Sequence, residues 1–157
     1  MNRAPVSSDL RTQLIETAIR FLAEKGPAAI QARAIAKEVG ASTMAVYSTF
    51  GGMPQYLLAV AEHGFTRLAA AFEKAPKTDD PVTDIFRLAL AHREVARRNP
   101  HLYDLMFGLS TRGAYRAIEF ETAVIPEAQS AAYQVTYSQL IEAAARLVQS
   151  GRVRKEN

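Results

Sequence analysis

The sequence predicts an all-α fold, and three observations carry that prediction. Apolar residues recur at intervals of three and four along most of the chain, which places them on one face of a helix. The gaps between these runs hold residues that start or stop helices: Gly26-Pro27, Gly40, Asp80-Pro81 and Asn99-Pro100. No stretch sustains the apolar–polar alternation of a strand. Composition agrees, since 157 residues with 48% hydrophobic content can bury a core. Cysteine is absent, which excludes a disulfide framework and a thiolate zinc site and fits a cytoplasmic protein. The segment 1–9 lacks the apolar stretch of a signal peptide, and no run reaches the length of a membrane-spanning helix. No membrane partner is expected.

Residues 1–7 read as a disordered arm, with Ser8 or Asp9 capping a first helix. Leu10, Leu14, Ala18, Phe21 and Leu22 form its apolar stripe, and Gly26-Pro27 stops it. A second helix begins near Gln31, a weaker cap than serine or threonine. The spacing of Ile35, Ala36 and Val39 gives this helix one buried face, and Ala36 is small where a neighbour must come close. Gly40 ends it, because a left-handed backbone is cheap only without a Cβ. Ser42 then caps a third helix whose Val46 and Phe50 turn inward, leaving Thr43, Met44 and Tyr47 on another face. Two short helices joined by such a turn form a helix-turn-helix, whose second helix would enter the major groove of DNA. An ordinary helical hairpin has the same spacing.

Gly51-Gly52 breaks the chain, and Pro54 suits the first turn of a long helix reaching about Ala75. Its inward residues are Tyr56, Leu57, Val60, Ala61, Phe65, Leu68, Ala69 and Phe72. Asp80-Pro81 opens another helix, with Val82, Ile85, Phe86, Leu88, Ala89 and Val95 expected inside. Asn99-Pro100 repeats that signal and starts a short helix ended by Gly108. Residues 109–126 give mixed signals. A final helix is expected from Glu127 to about Ser150, with Tyr133, Tyr137, Leu140, Ile141, Ala144, Leu147 and Val148 on its apolar side.

Chemistry of the catalytic kind is not signalled. Nucleophile-elbow, phosphate-loop and His-Glu-x-x-His patterns are all missing. His101 and Asp104 stand three apart on a helix, without the clustered partners a metal or proton-transfer site needs; His63 and His92 read as surface or packing residues. The chain is therefore expected not to be an enzyme and to hold no metal or cofactor. Net charge is only +3. Ahead of the third helix, Arg3, Arg11, Arg20, Lys25, Arg33 and Lys37 outnumber Asp9, Glu16, Glu24 and Glu38 by two. Such a balance permits nucleic-acid binding without pointing to it.

Several segments, in order, carry a family resemblance. They are Glu24-Lys25-Gly26, then the run from Arg33 to Ser42 (Arg-Ala-Ile-Ala-Lys-Glu-Val-Gly-Ala-Ser). Val46-Tyr47-Ser48-Thr49-Phe50 and Gly51 through Leu58 complete the set. Residues 8–58 thereby resemble the DNA-binding domain of the TetR family of transcriptional repressors. A second stretch, Asn99-Pro100-His101-Leu102-Tyr103 through Met106-Phe107-Gly108, looks like part of the ligand domain of a TetR-like subgroup. The resemblance implies a three-helix helix-turn-helix domain over residues 8–55 and a helical ligand-binding and dimerisation bundle over 56–157. It further implies a homodimer on a palindromic double-stranded DNA operator, released by a small-molecule effector.

For DNA contact the expected residues are Gln31, Arg33, Ser42, Thr43, Met44 and Tyr47. Thr43 can hydrogen-bond a base edge or phosphate, Met44 can touch a thymine methyl, and Tyr47 resembles the family tyrosine that binds a phosphate. The expected effector site is aromatic with polar tips: Tyr103, Met106, Phe107, Tyr115, Phe120, Tyr133 and Tyr137. These residues could equally be core. Two departures from the family stand out. Met53 replaces a usual lysine, which implies weaker or less salt-dependent DNA binding. The chain also ends at Asn157, short of the family's two long C-terminal dimerisation helices; it reads as truncated there, as dimerising through the 127–150 helix, or as failing to dimerise. A helical small-molecule-binding protein that has lost DNA binding is the alternative reading.

Overall fold

A computed structural model describes residues 6–107 and 131–152, with side chains described from Leu10 onward. Its helices are α1 (Val6–Lys25), α2 (Ala32–Glu38), α3 (Thr43–Phe50), α4 (Met53–Glu73), α5 (Pro81–Arg98), α6 (Pro100–Phe107) and α7 (Ala131–Gln149), with a 3-10 turn at Pro27–Ala29. No strand occurs among the described residues. None of the described helices is long and apolar enough to cross a membrane.

The expected punctuation is used at nearly every break. Gly40 has φ 70° and closes α2 with a paired C-terminal motif, Ala41 N–H donating to the Ala36 carbonyl and Gly40 N–H to that of Lys37. Ser42 Oγ accepts from Ala45 N–H at 3.1 Å, and Asp80 Oδ2 accepts from Thr83 N–H at 3.2 Å. Gln31 stands at the α2 cap position without a capping bond; its side chain donates to the Ala28 carbonyl instead. The first helix departs from expectation. It starts at Val6, so Ser8 and Asp9 lie inside it rather than before it, and residues 6 and 7 are helical.

α1, α2 and α3 enclose one apolar centre made of Leu14, Ala18, Leu22, Ile35, Val46 and Phe50. α4 passes residues 55 and 56 without a break, and its buried residues continue from Tyr56 and Leu57 to Leu68 and Phe72. One end packs on α1 and α3, and its length serves α5, α6 and α7. Gly64 lets α6 approach: a Cβ there would lie 2.6 Å from Met106 Sδ. Met106, expected in the effector site, thus fills the α4–α6 contact.

Two apolar stripes are not where the spacing put them. On α5, Phe86 is 66% exposed and Ala89 is exposed, because the helix turns Asp84 and Leu88 inward. A carboxylate can take that place because its partners are all supplied. Asp84 Oδ1 accepts from the Thr78 hydroxyl at 2.7 Å, and Oδ2 from Arg146 Nη1 at 2.6 Å. On α7, Thr136 and Ala143 are the buried residues, while Tyr137, Ile141, Ala144 and Val148 face outward.

Asn99 joins the two halves. It is buried, its Nδ2 donates to the Ile19 carbonyl of α1 at 2.9 Å, and its Oδ1 accepts from Leu102 N–H at 3.1 Å as the cap of α6. Asn99→Ala removes a cap and a buried inter-helix bond together. Urea denaturation should show a loss of about 2 kcal/mol, with the slope of the transition unchanged.

Candidate nucleic-acid interface

α3 is held from below and bare above. Val46 and Phe50 are buried, Phe50 against the Tyr56 ring at 4.7 Å and under the Arg11 guanidinium at 4.6 Å. On the opposite side Thr43 is exposed, Met44 is 73% exposed and Tyr47 is 43% exposed. Three of the expected residues therefore share one accessible face of one helix. Gln31, Arg33 and Ser42 are exposed as well, but on different supports. Arg33 stands on α2 with no acidic partner among the described residues, so its charge is available to an incoming anion. The Ser42 oxygen is engaged by Ala45 N–H, which leaves its hydroxyl hydrogen free to donate. Gln31 keeps its amide oxygen, since only the nitrogen is used.

The platform under α3 is braced by polar links. Arg20 on α1 pairs with Glu38 on α2 at 2.7 Å. Burial pushes the Tyr56 hydroxyl well above its ordinary pKa, and it donates to the Leu14 carbonyl at 2.6 Å. Met53, where the resemblance led us to expect a lysine, packs against the core at the start of α4. With an uncharged α3 (Thr-Met-Ala-Val-Tyr-Ser-Thr-Phe) the contact face offers hydroxyls and a thioether, and no cation of its own.

The second expected site is partly assembled. Tyr103 and Phe107 on α6 stack near one another with centroids 4.6 Å apart, and Phe65 on α4 meets both Phe107 and Tyr133 edge-on. Tyr137 lies at the periphery, exposed and stacked on Tyr133. Tyr115 and Phe120 lie outside the described residues. His92 on α5 joins the cluster unforeseen, in ring contact with Phe72, Tyr103 and Phe107. Its Nε2 is buried and has no hydrogen-bond partner among the described residues. The four-residue step from Leu88 was the sequence signal that could have found it. A cavity of about 40 Å³ shares Phe72 with the cluster and reaches Leu88, Ala143 and the Asp84–Arg146 pair. That is room for water.

The remaining histidines are accounted for. His63 Nε2 lies 2.8 Å from Glu16 Oε1, joining α4 to α1, and His101 lies over Gly26. No cluster of metal-ligating side chains occurs among the described residues.

Comparison with known proteins agrees with this geometry. Residues 14–60, which run from α1 into α4, match the family described as bacterial regulatory proteins, tetR family. The fold is similar to the crystal structure of a TetR family transcriptional regulator, PfmR from Thermus thermophilus. That similarity has a TM-score of 0.60 and 23% identity, over 92% of this chain and 75% of that one. No curated protein matches the sequence. The helix-turn-helix thus matches the DNA-binding domain of this family, and the chain is a DNA-binding transcriptional regulator.

Burial lowers the His92 pKa from its ordinary 6.5, so the unfolded chain binds its proton more readily than the folded one. Stability should therefore fall as pH drops from 6.5 through the lower folded value. Thermal melts should show that slope in the wild type and a flatter one in His92→Phe. Asp84, whose carboxyl is held low first by the Thr78 hydroxyl and then by Arg146, acts only in more acid solution.

Proposed function

We propose that the chain is a repressor that binds a palindromic operator as a homodimer and leaves it when a small molecule enters the aromatic cluster. The observation that carries this reading is the bare face of α3, where Thr43, Met44 and Tyr47 project from a helix pinned by Val46 and Phe50. Tyr47 serves a phosphate and fixes register. Met44 meets a thymine methyl and Thr43 a base edge or phosphate. Arg33, Gln31 and Ser42 add backbone contacts at the flank of the same surface. Without an arginine on α3, bidentate reading of guanine is not part of the specificity.

Release follows from how the two parts are joined. The effector cluster uses Tyr103 and Phe107 of α6, and α6 begins at Asn99, which grips the α1 backbone. A molecule that displaces those rings favours a different seat for α6, and so for α1. It therefore binds the DNA-incompetent arrangement more tightly, which is what release requires. The Asn99–Gly108 stretch supports a ligand domain of the subgroup it resembles.

Pairing is supported by the outward residues of α7. Tyr137, Ile141, Ala144 and Val148 recur at four, three and four, forming an apolar line on its exposed side. Ile141 is 60% exposed at its middle. A second copy seated on that line would present two α3 helices to successive major grooves, about 34 Å apart.

Two measurements test the reading. In fluorescence anisotropy with DNA flanking the chain's own gene, Tyr47→Phe should raise Kd about tenfold for every sequence alike, the cost of one bond to a charged group. An unchanged Kd would remove Tyr47 from the contact. In sedimentation equilibrium, Ile141→Glu should shift the protein to monomer with its helical content intact. A persisting dimer would place the interface elsewhere.

A further inference from the structure

We infer that His92 Nε2 is the polar anchor of the effector site, and that the effector is an uncharged aromatic molecule bearing a hydroxyl group. This rests on the ligand-responsive reading of the cluster and gives that ligand a chemistry. A buried nitrogen without a partner is a standing cost, and native structures seldom keep one without use. Three rings meet its imidazole: Phe72 at 6.0 Å, Tyr103 at 5.6 Å and Phe107 at 5.9 Å between centroids. They come from two other helices, α4 and α6, so the nitrogen lies where the bundle would have to open.

The surroundings restrict what can arrive. The three rings touching His92 carry no charge, and burial favours its neutral imidazole. An ionic ligand would meet no counter-charge in this shell. A flat apolar body matches the rings by edge or offset contact. A hydroxyl suits the nitrogen in either tautomer, because it donates to an unprotonated Nε2 and accepts from a protonated one. Tyr103 and Phe107 are the rings that must yield, which moves α6.

The test uses two small probes of one shape, p-cresol and p-xylene, on the full chain and on His92→Phe. Hydration alone favours p-xylene in an apolar site, so the informative quantity is the change in their Kd ratio between the two proteins. His92→Phe should shift that ratio at least tenfold against p-cresol. A second reading needs no variant. In the ¹⁵N-histidine-labelled wild type, the His92 ring nitrogen signal should move with p-cresol and stay with p-xylene. An unchanged ratio, an unmoved signal, or no binding of either probe at millimolar concentration would overturn the assignment and leave Nε2 to water.

DNA anisotropy on the same samples separates the two claims. DNA binding with an unchanged ratio sinks the anchor alone. A shifted ratio with DNA binding indifferent to p-cresol upholds the anchor and sinks ligand-driven release.

Discussion

The structure depends on how α1 is held. Its backbone is gripped at two carbonyls by side chains from beyond the helix-turn-helix: Leu14 by the Tyr56 hydroxyl of α4, and Ile19 by the Asn99 amide at the head of α6. Helix carbonyls usually serve only their own helix. Here each takes a second bond, which its spare lone pair allows. The apolar contacts of Leu14, Ala18 and Leu22 would let α1 slide; the two hydrogen bonds fix its height. The position of α3 follows, since Phe50 is wedged between Arg11 of α1 and Tyr56 of α4.

Recognition is arranged with little charge. α3 holds no ionised side chain, so in the proposed complex attraction to DNA would come from neighbours such as Arg33 and from hydroxyl groups. Met53, at the position where the resemblance implies a lysine, is partly buried and packs against the core. Fewer phosphates neutralised means a shallower dependence of affinity on salt. In that complex, shape and apolar contact at Met44 would carry more of the discrimination.

Most of the architecture was legible in the sequence because its breaks are made by residues with one strong local preference. Gly40, Ser42, Asp80-Pro81 and Asn99-Pro100 act through their own backbone and nearest amides, and no tertiary context contradicts them. The face of α3 was legible for the same reason, being set by the two residues that point away from it. α5 and α7 were harder. Each has apolar residues on more than one side, and the choice between stripes was made by a polar contact 62 residues apart, Asp84 with Arg146. Spacing within a helix cannot register such a partner. His92 was read only as a surface or packing residue, because one histidine on a helix looks the same whether it faces solvent or rings.

Gly64 gives α4 a mechanical character. The helix has 21 residues and spans about 31 Å. Tilting a rod of that length by about 5° displaces its far end by roughly 3 Å, enough to take a hydroxyl out of bonding range of a phosphate. Such amplification requires stiffness, and stiffness in a helix is least where a glycine sits, lacking side-chain contacts with neighbouring turns. Gly64 lies near the midpoint, with Met106 leaning into the gap. The methionine fills the space a side chain at position 64 would take, so the point where α4 is least stiff is also the point where α6 bears on it.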